Sequence, residues 1–173
     1  NGVVLITTKK GKVGQSMLSY SADFGLSKMA RPIDVFSADE FRTNVTALGG
    51  TLEDLGGDTD WQEEISRTSF TQNHNLSLSG GAEKLTYYAS LGLQDQEGIL
   101  KNSELKRYTG RINLNQKLLN DRLSVDLNLN ATQTSNERPQ IENIVGGALS
   151  MNPTFPAYDA EGKPARYQNV TSP

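Results

Sequence analysis

Alternation of apolar and polar residues, repeated in several segments, is the feature that most constrains the fold of this chain. In residues 16–27 the apolar side chains fall on one face: Leu18, Tyr20, Ala22, Phe24 and Leu26. The same period recurs at 69–79, 85–94, 108–115 and 123–132, and it is least regular in the first of these. A period of two residues indicates β-strands with one apolar and one polar face. The sequence therefore predicts an all-β fold.

The connections between these segments alternate in length. Short turns are predicted at 80–84 and 120–122, where Gly, Asn and Asp favour hairpins. Long connections are predicted at 28–68, at 95–107 and after 134. Short turns at one end of a sheet and long loops at the other are typical of transmembrane β-barrels. A soluble antiparallel sandwich also alternates, so these patterns leave a membrane barrel and a soluble or cell-surface β-sandwich binding module both open.

Short helices are predicted inside the long connections. Ser37 and Glu40 have the spacing of a capping box, which opens a helix that ends near Leu48. One further helical turn is predicted at 60–65. The apolar spacing from Ile141 to Leu149 predicts another short helix.

Composition excludes some classes of protein. The chain has 17 Lys and Arg against 20 Asp and Glu, without a basic stripe, so no nucleic-acid partner is expected. It contains no cysteine, which excludes disulfides and thiolate metal sites. No apolar run reaches the ~18 residues of a membrane helix, and no signal peptide is found. For a membrane barrel, this predicts that the chain is internal to a longer one.

Motifs for catalysis and for cofactor binding are not found in the sequence. The one histidine, His74, falls within a strand, where a structural role is more common than a catalytic one. The acidic stretch from Glu53 to Glu64 lacks the spacing of an EF-hand. The sequence therefore predicts no enzyme, no cofactor and no metal site. Trp61 has two interpretations, stacking on a sugar ring or anchoring a loop helix.

Several motifs follow one another in order along the chain. Residues 1–11 read NGVVLITTKKG, and residues 59–81 contain TDWQ, RT and TQNHNLSLSGG. YYASLG, EGIL and RYTGRINL come next, and MNPTFP with YD follows at 151–159. In this order they resemble the SusC/RagA-like family of TonB-dependent outer-membrane transporters, over nearly the whole chain.

The resemblance implies a fold and a domain division. The expected fold class is all-β: the N-terminal part of a large antiparallel transmembrane β-barrel, with the last plug strand and with short helices in the long outer loops. Residues 1–11 would end the plug domain. Residues 12–173 would form the first strands and extracellular loops of the barrel domain, which is incomplete here.

The resemblance also implies a function at the cell outer membrane. Such proteins import oligosaccharides or peptides, with a SusD-like surface lipoprotein as a lid and the TonB-ExbB-ExbD complex acting on the plug. In a barrel the apolar faces would contact outer-membrane lipid, and the polar faces would line the lumen or the plug. Candidate ligand contacts are therefore the polar-face residues and one loop aromatic: Asp23, Arg111, Asn113, Asp126, Asn128 and Trp61.

Overall fold

The computed structural model describes residues 2–4, 12–14 and 16–167. Its elements, in chain order, are β1 Met17–Ser27, α1 Ala38–Ala47, α2 Trp61–Ile65, β2 Ser69–Ala82, β3 Leu85–Glu97, β4 Glu104–Leu118, β5 Leu123–Glu137 and α3 Ile141–Ser150. The chain divides into two compact units. The sheet unit comprises the described residues of Asn1–Leu26, Ser69–Glu97 and Ser103–Glu137, and the loop unit those of Ser27–Thr68, Gly98–Asn102 and Arg138–Pro173.

The sheet unit is one five-stranded sheet with its strands in chain order, β1-β2-β3-β4-β5. The pairs β2–β3, β3–β4 and β4–β5 are antiparallel. Ala82 pairs with Leu85 across a two-residue turn, and Leu118 pairs with Leu123 across a four-residue turn. Leu119, Asn120 and Asp121 in the second turn have φ of 54–67°, a conformation that Asn and Asp adopt more readily than most residues. Both predicted short turns are present, but the first is residues 83–84 rather than 80–84, because Gly80, Gly81 and Ala82 pair with β3 as part of β2.

The register carries the apolar face from strand to strand. Leu78 lies opposite Ala89, which lies opposite Ile112, which in turn lies opposite Leu129. This face is widely exposed, and Leu91 for example is 66% exposed. A β-sandwich needs a second sheet packed on such a face. The described residues form a single sheet, so the sandwich alternative is not the architecture of this part of the chain.

The strands extend further than the sequence predicts, and one predicted long connection is wrong. β3 continues to Glu97 and β4 begins at Glu104, so the connection between them is residues 98–103 rather than 95–107. Asp95 pairs with Lys106 and Gln96 with Leu105, as regular ladder partners. Backbone hydrogen bonds do not depend on the side chain, so a strand continues after its apolar alternation has ended.

The helical predictions in the connections are confirmed. The Ser37 hydroxyl accepts a hydrogen bond from the Glu40 N–H at 3.3 Å, and Glu40 Oε2 accepts one from the Ser37 N–H at 2.9 Å. This reciprocal pair is the capping box, and it starts α1 at Ala38. In the part of the chain that the structure describes, no helix is long and apolar enough to cross a membrane. Most of the predicted plug run, residues 1 and 5–11, lies outside the described residues.

Candidate ligand-contact surfaces

Four of the six candidate residues lie together on the polar face of the sheet. Arg111 lies opposite Asn130 on β5, and its Nε donates a hydrogen bond to Asn130 Oδ1 at 2.8 Å. Asn113 lies opposite Asn128, and Asn113 is buried at 8% exposed. Asp126 lies opposite Asn115 and accepts a hydrogen bond from its Nδ2 at 2.7 Å. The structure thus brings these residues into three adjacent rows of β4 and β5.

A depression with a volume of about 520 Å³ surrounds Arg111 on this face. Its polar lining consists of hydroxyl and amide side chains on all five strands, including Ser19, Ser21, Asn75, Ser77, Ser90, Thr109, Asn130 and Thr132, together with Tyr88. Of the described residues that line it, Arg111 is the only charged one. Such a surface offers many neutral donors and acceptors and one fixed cation. Asp23 lies two residues beyond Ser21 on the same strand and is not part of this lining.

The neighbours of Arg111 were missed from the sequence, although a signal for them exists. Once the turn at 119–122 is placed, each residue back along β4 pairs with the residue equally far forward on β5. That counting would have placed Arg111 opposite Asn130. The pairing of β2 with β3 depends on the two-residue turn at Glu83 and Lys84 in the same way. The pairing of β3 with β4, which places Ser90 opposite Arg111, depends on the connection 98–103.

Trp61 belongs to the loop unit, where it opens α2. Its Nε1–H donates a hydrogen bond to the carbonyl oxygen of Asn152 at 3.0 Å, and the side chain is half-buried. This hydrogen bond satisfies the indole N–H, and it fixes α2 to the loop that carries the NPTFP motif. Trp61 also lines a cavity of about 650 Å³ within the loop unit, so stacking on a ligand stays a prediction.

The NPTFP loop is held to residues 53–59 by hydrogen bonds that the sequence did not reveal. Thr154 is fully buried, and its hydroxyl lies 3.1 Å from the Glu53 carbonyl oxygen. Its own carbonyl accepts a hydrogen bond from the Gly57 N–H at 2.8 Å. The Thr59 hydroxyl donates to the Phe155 carbonyl at 2.7 Å. These bonds satisfy backbone groups that an irregular loop would otherwise leave unpaired.

A second fixed point of the loop unit is the pair Arg42 and Asp54. The Arg42 Nε and Nη2 donate to the two carboxylate oxygens of Asp54 at 2.7 and 3.1 Å, and Nη2 also donates to the Gly57 carbonyl at 2.8 Å. The guanidinium, together with the Gly56 N–H, lowers the pKa of Asp54 from its ordinary value of 3.8. The bidentate geometry links α1 to the loop that follows it.

His74 lies on the apolar face of the sheet in a cluster of aromatic rings. Its Nδ1 is 2.7 Å from the Tyr20 hydroxyl, and its Nε2 is 3.2 Å from Gln72 Oε1. Phe24 contacts the His74 ring edge-on and stacks on Phe70, with ring centroids 5.5 and 6.1 Å apart. Both ring nitrogens are therefore occupied by neighbouring side chains. Among the described residues, no group of three or more His, Asp or Glu side chains could hold a metal ion.

The sequence of this chain is similar to those of TonB-dependent receptors. It is 39% identical over 165 residues to the TonB-dependent receptor SusC of Bacteroides thetaiotaomicron, an alignment that covers 93% of this chain and 16% of SusC. It is 30% identical over 171 residues to the TonB-dependent receptor P3 of Formosa agariphila, covering 94% of this chain and 17% of the relative. No family model matches the chain.

The fold agrees with these similarities. The RagAB peptide importer in its closed-closed state superposes with a TM-score of 0.74 at 23% identity, over 91% of this chain and 23% of the importer chain. The RagAB peptide transporter gives a TM-score of 0.72 at 24% identity. The all-β prediction and the predicted family are thus confirmed: the chain belongs to the SusC/RagA-like family of TonB-dependent receptors. It spans only 16–17% of the length of the two curated relatives described above.

Proposed function

We propose that the protein containing this chain imports oligosaccharides or peptides across the outer membrane by TonB-dependent transport. In this proposal residues 1–11 end the plug domain, and residues 12–173 supply the first barrel strands and extracellular loops. A SusD-like surface lipoprotein would cover the barrel, and the TonB-ExbB-ExbD complex would act on plug regions outside this chain. SusC and RagAB, to which the chain is similar, are a TonB-dependent receptor and a peptide importer. No catalytic step is assigned to these residues.

The observation that carries the proposal is the exposed apolar band on one face of the sheet. On β3 the band runs from Leu85 to Leu93, and on β5 from Leu123 to Ala131. Each span is about 27 Å along the strand at ~3.4 Å per residue. With the strand tilt of about 35–45° that is usual in outer-membrane barrels, this span has a height of ~19–22 Å, comparable with the lipid-facing band, which is about 25 Å tall. A face of this height and polarity, left uncovered in a sheet whose other face is polar, supports contact with lipid.

The aromatic residues support the same orientation. Phe24, Phe70 and Tyr108 lie on the apolar face and are 64%, 39% and 53% exposed, so they are not core residues. Beyond Tyr108 on this face comes Lys106, the ladder partner of Asp95, and Phe70 lies at the same charged margin, where its N–H donates a hydrogen bond to Glu97. Aromatic residues between an apolar band and a charged margin are typical of the interface girdles of membrane barrels.

The decisive test is the accessibility of single cysteines at Leu127 and Asn128 in the full-length protein in membranes. These neighbours point to opposite faces of β5, and this chain contains no native cysteine. Leu127→Cys is expected to react only with a lipid-soluble maleimide, and Asn128→Cys only with a water-soluble one. The reverse pattern, or two unreactive positions, would show that β5 is not a lipid-facing strand and would contradict the barrel proposal.

Transport itself is tested by uptake into cells that carry the full-length protein. Labelled oligosaccharides and labelled peptides are supplied separately, with and without a protonophore that collapses the energy source of TonB. Accumulation of one class, abolished by the protonophore and by deletion of the gene, is the expected result. Uptake that persists without energy would indicate a passive pore. Co-purification of a surface lipoprotein with the tagged protein tests the lid.

A further inference from the structure

The loop unit carries an unbalanced block of negative charge. Between Asp34 and Glu64 there are nine acidic side chains and one basic side chain, Arg42. That cation is already shared between Asp54 and Asp39, with its Nη1 donating to Asp39 Oδ1 at 3.1 Å. The charge of this block is therefore not neutralised from within. Clefts lined by one sign of charge raise the local concentration of ligands of the other sign.

Four acidic residues of this block line the cavity of about 650 Å³ that Trp61 also lines. The cavity lies between residues 34–41, residues 58–62 and the end of α3 with the following residues 151 and 153. Among the residues that the structure describes, its charged lining is entirely acidic: Asp34, Glu40, Asp58 and Asp60. Its volume is in the range of small-molecule sites, about 300–1,000 Å³. An anionic ligand would meet four carboxylates there and no cation.

Two of the four carboxylates already have structural partners. Glu40 belongs to the capping box of α1. Asp60 Oδ1 accepts hydrogen bonds from the Gln62 and Glu63 N–H groups at 2.9 and 3.1 Å. The helix ends that could attract an anion are thus satisfied by the chain itself. Asp34 and Asp58 are exposed and make no hydrogen bond or ion pair with any residue the structure describes.

Aromatic and apolar side chains form the rest of the wall. Phe36, Phe41 and Trp61 line the cavity together with Met151 and Pro153. Phe36 is 58% exposed although it is a large apolar residue. Trp61 is held in place by its hydrogen bond to Asn152. Ring faces next to uncompensated carboxylates suit an ammonium or guanidinium group, because the ring quadrupole and the negative charge attract the same cation.

We propose that this cavity binds a basic side chain, lysine or arginine, of a peptide, with Asp34 and Asp58 as its counter-charges. The inference rests on the proposed import function and deepens it, since it selects cationic peptides among the possible cargoes. Asp34 and Asp58 are specificity residues that pair with the cation. Phe36 and Trp61 provide the surface on which the aliphatic stem and the charged head lie.

The test measures binding of dye-labelled pentapeptides to the purified full-length protein by fluorescence polarisation. Three peptides share a central phenylalanine and differ in two flanking residues, which are lysine, glutamine or glutamate. The variants are Asp34→Asn, Asp58→Asn and the double variant. Glu142→Gln is the matched control, because Glu142 is an exposed carboxylate of the loop unit that does not line the cavity. Phe36→Leu tests the aromatic wall separately.

At low salt we expect the lysine peptide to bind at least about tenfold more tightly than the glutamate peptide. Each Asp→Asn change should weaken lysine-peptide binding by about threefold, and the double variant by about tenfold, as for exposed ion pairs. The glutamine peptide should respond little, and added salt should reduce the preference. Glu142→Gln should leave the preference intact.

Two outcomes would overturn the inference. In the first, the double variant keeps the full lysine preference, which would place the cation elsewhere. In the second, no peptide competes for the cavity because another segment of the full-length protein fills it, as cross-linking from a Phe36→Cys variant would reveal. Either result with energy-dependent uptake intact removes the inference and leaves the transport proposal standing. If cells that carry the unaltered protein showed no energy-dependent uptake, that result would instead contradict the transport proposal.

Discussion

The two units of this chain are stabilised in different ways. In the sheet unit, the backbone ladders of β2 to β5 pair nearly every residue, while the side chains of β5 are exposed on both faces. In the loop unit the ladders are replaced by side chains that bond to distant backbone groups. The Gln62 side chain, for example, both donates to and accepts from the backbone of Ile33, at 2.8 and 2.9 Å.

This difference predicts opposite sensitivities to substitution. The sheet should tolerate changes of side-chain size on its apolar face but not changes of polarity. In the proposed barrel, that face contacts lipid rather than a packed protein core. The loop unit has only a small buried apolar set in its described part, with Ala38, Ala148 and Phe155. It should therefore depend on a few close contacts and buried hydrogen bonds.

The largest effect is expected for Leu129→Arg on the apolar face. Leu129 lies within the band and is 53% exposed, so in the proposed barrel an arginine there would contact lipid rather than water. The expected loss is about 2–4 kcal/mol of folding free energy near the bilayer midplane. The measurement is reversible unfolding of the full-length protein in lipid vesicles. Asn128→Arg on the polar face is the control and should cost little. Equal losses at both positions would contradict the two-faced sheet.

The next effect is expected for Gly57→Ala in the loop unit. A Cβ built at Gly57 would lie 2.5 Å from both the Phe155 carbonyl carbon and the Pro156 nitrogen, which are backbone atoms that cannot rotate away. We expect a loss of about 1–3 kcal/mol, as for other overpacked sites. Amide hydrogen exchange of residues 53–59 and 152–156 reports it. Gly146→Ala, which meets nothing within 4 Å in α3, should not accelerate exchange. Similar exchange in both variants would show that the close contact is not structurally important.

A somewhat smaller effect is expected for Thr154→Val. The change keeps the shape of a fully buried side chain but removes the hydroxyl that contacts Glu53 and Asn152. The hydroxyl has one hydrogen to donate, and each of the two oxygens keeps another donor, so the loss of this hydrogen bond should cost about 0.5–1.5 kcal/mol. The same exchange experiment measures it. Thr46→Val, at an exposed helical hydroxyl that bonds the Arg42 carbonyl, is the control and should change exchange only slightly. If the Thr154→Val variant kept the same amide protection, the contacts of Asn152 and Gly57 would be sufficient to hold the loop.

The smallest expected effect is a loss of stability of the loop unit at acidic pH. The folded pKa of Asp54 is lowered by Arg42 and the Gly56 N–H, so this carboxylate stabilises the fold above its unfolded pKa of 3.8. That contribution is lost as the pH falls below 3.8 toward the folded pKa. The protection factors of the amides around residues 42–57, which are corrected for the intrinsic pH dependence of exchange, should therefore fall on acidification. Asp54→Asn should remove part of this dependence and leave the part due to Glu40, whose pKa its bonds to Ser37 also lower. An unchanged acid profile would argue against the Arg42 pair.

The sequence by itself determined the features that arise from neighbouring residues. Alternation located all five strands and their apolar faces, and the capping residues Ser37 and Glu40 located the start of α1. Four of the candidate contacts, among them Arg111 and Asn128, were rightly placed on one polar face. Alternation also misplaced the ends of β3 and β4, because it records side-chain polarity and the ladder does not depend on it.

The tertiary structure decided what no local pattern records. Asn152 and Thr154 bond the carbonyl of Glu53, which lies 99 and 101 residues earlier in the chain. The partner in each bond is a backbone carbonyl, which every residue has, so nothing in the sequence around Glu53 distinguishes it. The cavity beside Trp61 arises in the same way, since its walls come from segments about a hundred residues apart. Local patterns fix the direction in which a side chain points, but the three-dimensional packing of distant backbone segments selects its neighbours.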